Sequence, residues 1–213
     1  MSSIADIRKD YKLRSLNEED VAADPFTQFQ QWWDQAIESD IDEVNAMTLA
    51  TASSDGVPSA RIVLLKGFSV EGFTFFTNYD SFKGQQLVEN PRACLVFFWK
   101  ELERQVRITG LVEKVQADES DNYFNSRPES SRIGAWASPQ SKIIKSRVWL
   151  EEKEEEMKNQ FKGKSIKRPD HWGGYRVNPV NIEFWQGRQS RLHDRIQYSL
   201  QENGAWTIER LAP

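Results

Sequence analysis

The alternation of hydrophobic and polar positions becomes regular only after residue 23. From there, five apolar residues fall on one face of a predicted helix: Phe26, Phe29, Trp33, Ala36 and Ile37. Asp24 suits the N-cap of that helix and Pro25 suits its first position. The spacing predicts an amphipathic helix that docks on a core. Residues 1–23 are polar and aperiodic, and we predict that they form a mobile arm.

Most of the remaining chain shows the alternation and turn signals of β-strands. Strands are predicted at residues 47–52, 58–68, 73–77, 93–100, 104–116, 175–185, 195–200 and 206–211. Glu71-Gly72 and Asn203-Gly204 predict turns between neighbouring strands, and Pro179 predicts an edge, a bulge or a break within 175–185. Helices are predicted at residues 82–89, capped by Ser81, and at 118–126, 131–137 and 146–161.

Strands that are joined by short turns favour an antiparallel sheet or barrel. The helices are inserted around this strand-rich part, so the predicted fold class is mostly β with peripheral helices (α+β). No linker or internal repeat divides residues 24–213, which we predict to form a single domain. A chain of 213 residues is long enough to bury a sizeable core.

Composition narrows the possible partners. The net charge is −4, which argues against a basic nucleic-acid-binding stripe. A small anionic ligand stays possible, because a few local cations suffice to bind a phosphate. The eight Trp and twelve Phe residues exceed what we expect from core filling alone. They indicate flat surfaces, such as a ring-binding pocket or a subunit interface.

The single cysteine, Cys94, lies in an apolar run and is interpreted as a buried structural thiol. It cannot form a disulfide within the chain, which is consistent with a reducing compartment. Residues 1–13 are not followed by the apolar stretch of a secretory signal, and no segment approaches the roughly 18 apolar residues of a membrane helix. We therefore expect a cytoplasmic location.

Common enzyme templates are missing from the sequence. It has no G-x-G-x-x-G after a strand, no P-loop, no G-x-S-x-G and no H-E-x-x-H. Two His residues and one Cys argue against a Cys/His metal site. Candidate chemistry is therefore sought among Arg, Lys and hydroxyl groups beside strands.

Three charged segments could bind anions. Arg61 and Lys66 flank an apolar strand, and strict alternation points them to opposite faces unless a bulge intervenes. They could therefore serve two anions or be solvated strand ends. Gln105 and Arg107 share a polar face that borders either a ligand or solvent. The hydroxyls and arginines of residues 126–132 suit a phosphate at a helix start, or a solvated loop.

The densest group of charges lies in residues 185–195, which contain three arginines, His193 and Asp194 directly after a strand. So much charge seldom enters a core, so the segment is either an exposed loop or the lining of a polar cleft. Trp185 could present its ring or its indole N–H to a flat ligand. We favour the cleft.

Six motifs resemble the pyridoxamine/pyridoxine 5'-phosphate oxidase family, and they occur in order from about residue 8 to the C-terminus. They are RIVLLK at 61–66, GAWASPQS at 134–141, WGGYRV at 172–177, EFWQGR at 183–188, SRLHDR at 190–195 and RLAP at 210–213. One such motif alone would be weak, whereas six in order over nearly the whole chain are specific.

This resemblance implies an FMN-binding split β-barrel of antiparallel Greek-key type, assembled as a homodimer with FMN at the subunit interface. It also implies the oxidation of pyridoxamine or pyridoxine 5'-phosphate to pyridoxal 5'-phosphate. In that reaction FMN takes a hydride from the substrate C4' carbon, and O2 reoxidises the flavin and gives H2O2. The amine substrate also releases ammonia.

The resemblance assigns roles position by position. The implied FMN contacts are Arg61, Ile62, Val63, Leu64, Leu65, Lys66, Phe76, Thr77, Lys83, Gln105, Gln140, Ser141, Trp185 and Arg195. The implied cradle for the substrate phosphate is Lys66, Tyr123, Arg127 and Ser131. The residues implied beside the substrate ring are Arg191, Leu192 and His193, and those implied in an N-terminal lid are Arg8 and Tyr11.

Of the two implied catalytic residues, Arg191 keeps its proton and should orient substrate and stabilise charge. His193 can titrate near neutral pH and is the better acid/base candidate. One position departs from the family, whose members commonly show Ser-Arg-Lys where this chain has Ser81-Phe82-Lys83. Phe82 cannot bind a phosphate as Arg does, so we predict one lost contact to the FMN phosphate.

Three alternatives share the barrel fold: a non-catalytic flavin or vitamer carrier, an oxidoreductase with another substrate, and a nucleic-acid-binding barrel. The intact pair Arg191 and His193 argues against the carrier. The complete phosphate cradle argues for a phosphorylated vitamer, and the net acidity argues against nucleic acid. The preference between amine and alcohol substrates is left open by the sequence.

Overall fold

The computed structural model describes residues 3–6 and 10–213, and its first long element is the predicted helix α1 (Pro25–Glu38). The side chain of Asp24 accepts hydrogen bonds from the backbone N–H groups of Phe26 and Thr27, at 3.1 and 3.0 Å. This cap satisfies amides that the first turn of a helix leaves without partners. Arg8 lies outside the described residues, so its predicted place in a lid is not described.

The buried face of α1 is shifted from the predicted one. Phe26, Phe29 and Ala36 are buried as predicted, but Ile37 is 52% exposed. Trp32 is buried in its place and packs edge-on against Phe184, with ring centroids 5.1 Å apart. Trp32 lies three residues after Phe29 and four before Ala36, so the helical repeat places it on the same face as these two buried residues.

Nine strands and four further helices follow α1. The strands are β1 (Ala46–Ala52), β2 (Pro58–Leu64), β3 (Gly67–Ser69), β4 (Gly72–Asn78), β5 (Arg92–Trp99), β6 (Arg104–Lys114), β7 (Trp172–Gln186), β8 (Asp194–Leu200) and β9 (Trp206–Arg210). The helices are α2 (Phe82–Glu89), α3 (Ala117–Ser126), α4 (Glu129–Ala137) and α5 (Arg147–Phe161). The mostly β fold class with peripheral helices is thereby confirmed.

The strands form one sheet in the order β2-β1-β5-β6-β7-β4-β3, with β8 on β7 and β9 on β8. The pairs β3–β4, β4–β7, β7–β8 and β8–β9 are antiparallel. β7 is continuous through Pro179, but it pairs with β4 up to Val177 and with β8 from Asn181. Pro179 therefore lies in the gap between these two pairings, where its missing N–H is not needed by the β4 or the β8 register.

The single strand predicted at 58–68 is wrong, because the chain breaks between Leu64 and Gly67. β2 pairs with β1, whereas β3 pairs with β4, and the break lets the chain change partners. At the break, the backbone N–H of Lys66 donates to the carbonyl of Thr74 at 2.9 Å. The change of partner is a long-range event, which local alternation does not record.

The described chain divides into two compact units. The first unit contains the described residues up to Leu49 together with Cys94–Gly110 and Pro179–Pro213, and the second contains Ala50–Ala93 and Leu111–Asn178. The core of the first unit is aromatic and includes Phe29, Trp32, Phe97, Trp99, Phe184 and Tyr198. The second unit has a cluster built on Phe124, Ile133, Ile166 and Trp172. No described helix is both long enough and apolar enough to cross a bilayer.

Candidate functional site

A cavity of about 530 Å³ lies in the second unit. It is lined by Arg61, Ile62, Val63, Leu64, Lys66, Phe76, Thr77, Asn78, Lys83, Tyr123, Arg127, Ser131, Gly134, Ala135, Ser138, Gln140 and Trp172. The lining brings together most of the second unit's predicted site residues, which are scattered from position 61 to position 140. It contains four cationic side chains and no carboxylate. Such a lining suits an anionic ligand.

Arg61 and Lys66 both line this cavity, so the prediction that they point to opposite faces is wrong. Strict alternation holds only within a strand, and β2 ends at Leu64, before Lys66. Leu65, which was predicted to contact FMN with its neighbours, is buried and is not part of the lining.

A hydroxyl and amide network holds the Arg61 guanidinium in place. Its Nη1 donates to Thr51 Oγ1 at 2.7 Å and its Nη2 to Ser59 Oγ at 2.5 Å. Both hydroxyls in turn donate to Gln86 Oε1 at 2.6 Å. Burial lowers the pKa of Arg61 below its usual range, although arginine keeps its charge at neutral pH. These hydroxyl and amide groups therefore orient a fixed positive charge.

Lys83 extends from α2 into the same cavity, where Ser81 caps the helix by accepting from Gly84 N–H at 3.3 Å. Its Nζ donates to Thr77 Oγ1 and Gln140 Oε1, both at 3.1 Å. Burial, and next the positive charge of Arg61, lower the pKa of Lys83 to about 8. An anion bound here would stabilise the protonated form and raise that pKa again.

A flat aromatic wall closes another side of the cavity. The rings of Phe76 and Tyr123 are stacked with centroids 4.0 Å apart, and Trp172 lies nearly parallel to Phe76 at 5.7 Å. The Arg127 guanidinium lies 4.5 Å from the centroid of Trp172. Stacked rings and a guanidinium plane form a surface that fits planar ring systems.

Arg127 carries the clearest sign of a missing partner. Its Nη1 atom is buried and makes no hydrogen bond with any described residue. Burial lowers the pKa of Arg127, as expected where no anion offsets the cost of removing the guanidinium from water. Buried polar atoms are rarely left unsatisfied in folded proteins, so the arrangement fits a bound acceptor such as a phosphate oxygen.

Ser131 lies beside Arg127 in the cavity lining, in the first turn of α4. The helix begins at Glu129, two residues before the predicted start, with Pro128 at its cap. The exposed amides of a first turn favour negative charge. Ser131, Tyr123, Lys66 and Arg127 thus all face one cavity, as the resemblance implies for a phosphate cradle.

The remaining predicted residues belong to the first unit, apart from Ser141, which is an exposed residue with φ of 69° in the second. Trp185 and Arg195 face each other as directly paired residues of β7 and β8. Gln105 is half-buried on β6 and alternates with the buried Val106, as predicted. Arg191 and Leu192 are exposed, and Arg191 has a φ of 62°. Left-handed backbone is costly for a residue other than glycine, and it recurs at functional loops.

A buried carboxylate holds Arg195. Glu183 Oε1 accepts from Arg195 Nε at 2.8 Å, and Glu183 Oε2 forms a short contact with Arg107 Nη2. The side chain of Glu183 is only 4% exposed, so the two guanidinium groups compensate its charge. Glu183 belongs to the EFWQGR motif, but the sequence assigned it no role. Its position between two arginines depends on pairing across the sheet.

His193 has a defined tautomer. Its Nδ1 accepts a hydrogen bond from the backbone N–H of Arg188 at 3.1 Å, which leaves the proton of the neutral ring on Nε2. Its ring lies 4.6 Å from that of Trp185. Burial lowers the pKa of His193, the charge of Arg191 lowers it further, and Asp194 opposes both. The imidazole is therefore held mainly neutral at pH 7.

Several lining residues received no predicted role, including Asn78, Gly134, Ala135 and Trp172. The last three belong to motifs that were used only for the resemblance. Their place in the cavity wall follows from the packing of α4 and β7. In the sequence, the Trp next to two glycines was the available sign that this part of the chain borders a flat ligand. Among the described residues, no group of three or more His, Cys, Asp or Glu side chains is arranged to hold a metal ion.

Comparison with known proteins agrees with the fold and the cavity. Residues 33–161 match the family model described as pyridoxamine 5'-phosphate oxidase, and residues 172–213 match the pyridoxine 5'-phosphate oxidase C-terminal dimerisation region. A relative from Nostoc punctiforme, named pyridoxine/pyridoxamine 5'-phosphate oxidase, is 58% identical over 211 residues, which are 99% of each chain. A relative of the same name from Cupriavidus necator is 58% identical over 213 residues and covers both chains fully.

Solved structures show the same architecture. PhzG from Burkholderia lata 383, solved in complex with tetrahydrophenazine-1-carboxylic acid, matches with a TM-score of 0.88 and 30% identity over 94% of this chain and 99% of its own. A pyridoxamine 5'-phosphate oxidase-related, FMN-binding protein from Nostoc punctiforme shares the fold with a TM-score of 0.69 at 18% identity, over 91% of this chain and all of its own. The split-barrel prediction is thereby confirmed. The chain belongs to the pyridoxamine 5'-phosphate oxidase family.

Proposed function

We propose that this protein oxidises pyridoxamine or pyridoxine 5'-phosphate to pyridoxal 5'-phosphate with FMN as cofactor and O2 as electron acceptor. The observation that carries the proposal is the cavity of the second unit, which combines four cations, a flat aromatic wall and no carboxylate. Both the cofactor and the substrates pair a planar ring with a phosphate. The names of the relatives support the same reaction.

The residues of the cavity fit such ligands. Its volume of about 530 Å³ lies within the roughly 300–1,000 Å³ of small-molecule sites. Arg127 offers a buried N–H without an acceptor among the described residues. Hydroxyl and amide groups hold Arg61 and Lys83 in place, and no carboxylate lines the cavity. These features are what a site for phosphorylated ligands needs.

The cations divide into two sets by their neighbours. Arg61 and Lys83 lie together with Thr77 and Gln140, and we assign this set to FMN. Following the family resemblance, we extend it to Ile62, Val63, Leu64, Lys66 and Phe76 of the lining. We also extend it to Leu65 and Ser141, which lie outside the lining. Arg127 lies with Lys66, Tyr123 and Ser131, and we assign this set to the substrate phosphate. Two phosphates need two sets of donors, because each phosphate carries its own charge and acceptor oxygens.

FMN, when bound, supplies the redox chemistry by accepting a hydride from the substrate C4' carbon and passing the electrons to O2, which gives H2O2. The protein's own residues bind and orient the reactants and exclude water. Arg191 stays protonated, so we assign it to orienting the substrate and stabilising negative charge. His193, with its neutral tautomer set by Arg188 N–H, is assigned to proton transfer through Nε2. Leu192, between them, borders the substrate.

We propose a homodimer in which FMN lies at the subunit interface and is also contacted by Gln105, Trp185 and Arg195. The match of residues 172–213 to a dimerisation region supports this assembly. We further propose that residues 24–213 act as one domain and that residues 1–23, through Arg8 and Tyr11, cover the substrate as an arm. We expect the protein to act in the cytoplasm on small-molecule substrates.

A different substrate on the same fold is the main competitor, because PhzG was solved with tetrahydrophenazine-1-carboxylic acid. Lys66, Tyr123, Arg127 and Ser131 favour a phosphorylated substrate over a carboxylic acid, since their donors exceed what one carboxylate can accept. Comparing pyridoxamine 5'-phosphate with pyridoxamine as substrates would separate the two functions.

The proposal is tested by purifying the protein, recording its visible spectrum, and adding pyridoxamine 5'-phosphate in air. We expect a yellow protein that forms pyridoxal 5'-phosphate and peroxide in equal amounts. A yellow protein that binds the vitamer without turnover would favour the carrier function instead. A colourless protein that stays inactive with added FMN would contradict the proposal.

A further inference from the structure

The segment of residues 11–13 is bound to the first unit by a carboxylate that has no role in the proposed reaction. Glu103 Oε2 accepts the backbone N–H of Lys12 at 2.8 Å and that of Leu13 at 3.2 Å. Glu103 is 3% exposed and has a φ of 54°, a left-handed conformation that few residues other than glycine adopt. A buried acid on such backbone, with two amides aimed at it, indicates a dedicated attachment point.

Gly187, which has no side chain, leaves the space that the Tyr11 side chain occupies. A Cβ atom at Gly187 would lie 2.6 Å from Tyr11 Cγ and 2.7 Å from Tyr11 Cβ, closer than real Cβ atoms approach other atoms. The backbone N–H of Gly187 donates to the carbonyl of Glu103 at 2.8 Å, so the two residues form one unit of structure. Only glycine leaves the space that the Tyr11 side chain fills.

The Tyr11 ring contacts two of the predicted functional residues. Its centroid lies 5.7 Å from Trp185 in an edge-on arrangement and 6.0 Å from His193. We call Glu103, Trp185, Gly187 and His193 the Tyr11 socket. Leu16 N–H, further along the segment, donates to Asp194 at 3.1 Å, so a second carboxylate holds the segment next to His193.

We propose that Glu103 and Gly187 are positioning residues, which seat Tyr11 against Trp185 and His193 and keep water from one side of the His193 ring. The inference rests on the proposed function, in which Trp185 contacts the cofactor and His193 transfers protons. It assigns the seating to two residues that touch neither substrate nor cofactor in that proposal.

The seating sets the environment in which His193 titrates. The groups that face its ring are Tyr11 from the segment, Trp185 of β7, the backbone N–H of Arg188, and the charges of Arg191 and Asp194. Burial is the largest cause that lowers the pKa of His193. When Tyr11 leaves the socket, water reaches the ring, and the pKa of His193 should rise toward its usual range.

The first experiment measures whether Glu103 holds the segment. The FMN-loaded protein is exposed to trypsin, and cleavage after Lys12 and Arg14 is followed by mass spectrometry. Glu103→Gln keeps the side-chain volume but loses the charge, and we expect cleavage at these two bonds to become about tenfold faster. Glu101→Gln, an exposed residue of the same turn, is the matched control and should cleave like the wild type.

The second experiment uses Gly187→Ala and follows His193 by NMR, which is practical because the chain has only two histidines. We expect the added methyl group to displace Tyr11, to speed cleavage after Lys12, and to raise the pKa of His193. In a Tyr11→Gly background the clash is absent, so Gly187→Ala should then change neither cleavage nor the His193 titration. Equal effects of Gly187→Ala with and without Tyr11 would overturn the socket.

Unchanged cleavage and an unchanged His193 titration in both Glu103→Gln and Gly187→Ala would overturn the positioning role. Neither readout requires turnover, so both can be interpreted whether or not the protein catalyses the oxidase reaction. If both variants behave as expected while the wild type makes no pyridoxal 5'-phosphate, the socket holds and the proposed function fails.

Discussion

In the first unit, Arg107 and Arg195 both pair with the buried carboxylate of Glu183, whereas in the second unit Arg127 lines a cavity with its Nη1 atom buried and without a partner among the described residues. The same side-chain type thus has two different surroundings. The two arginines of the first unit share a counter-ion within the chain. Arg127 leaves one buried N–H without an acceptor among the described residues.

This difference separates arginines whose charge is compensated within the chain from an arginine whose charge is not. A buried ion pair compensates its own desolvation, so its removal is expected to affect folding first. A buried cation without a counter-ion costs stability through its desolvation and keeps affinity for an anion. The distinction depends on the neighbours of each arginine, and it leads to opposite expectations for substitutions in the two units.

The largest expected effect is on stability, from Glu183→Gln in the first unit. Loss of the charge leaves Arg107 and Arg195 without their shared carboxylate, and we expect the free energy of unfolding to fall by about 3 kcal/mol. Urea unfolding of the FMN-loaded protein would measure it. Glu151→Gln, whose partner Arg147 is exposed, is the control and should cost less than about 0.5 kcal/mol. Equal small losses in both variants would remove the contrast between the two units.

Arg127→Met should have the opposite profile in the second unit. The free energy of unfolding should stay equal or rise, because a buried N–H without a partner is removed. The KM for pyridoxamine 5'-phosphate should rise about 100-fold, since a phosphate loses a guanidinium partner. Steady-state kinetics and urea unfolding measure the two effects, with Arg147→Met as the surface control. A destabilised variant with normal KM would show that Arg127 is structural.

Phe82→Arg tests the departure from the family pattern in α2. Phe82 is 52% exposed at the first position of this helix, one residue before Lys83, so an arginine there is sterically tolerated. One added charge-assisted hydrogen bond should tighten FMN binding about tenfold or more. Fluorescence titration of the apoprotein would measure it. Phe82→Gln, which adds no charge, should not reproduce the gain, and an unchanged affinity in Phe82→Arg would refute the lost contact.

The pH dependence of FMN binding tests Lys83. Its pKa is lowered to about 8 in the protein without ligand, and a bound phosphate raises it. Lys83 is therefore charged below pH 8, and binding above pH 8 must take up a proton. We expect FMN affinity to be constant between about pH 7, where the FMN phosphate is a dianion, and pH 8, and to fall by up to about tenfold per pH unit above pH 8. Lys83→Arg should remove the decline, and a profile that is identical in both proteins would exclude Lys83 as its source.

Local patterns predicted much of the fold. The cap Asp24, the turn at Asn203-Gly204 and the helix capped by Ser81 all depend on neighbouring residues, and each was found. The break between β2 and β3 was missed, because a strand that changes its partner keeps the same alternation of side chains. The exposure of Ile37 was also missed, because helical spacing identifies the apolar face of a helix but not how far the buried part of that face extends.

The predicted site was recovered in part. Arg61, Lys83 and Arg127 were singled out by type and motif, and the structure brings them to one cavity. Glu103 and Gly187 received no role from the sequence. Their function depends on contacts with the segment around Tyr11, more than 90 residues away in the chain. No pattern within a strand or turn can report such a contact.

The central claim is that the four cations of the cavity, which no carboxylate lines, bind a phosphate. The most direct measurement is calorimetric titration of the apoprotein with FMN and with riboflavin, which differ only by the phosphate. We predict that FMN binds at least about 100-fold more tightly, as two charge-assisted contacts would give. Equal affinities for the two flavins would contradict the account, because the cations would then contribute nothing to binding.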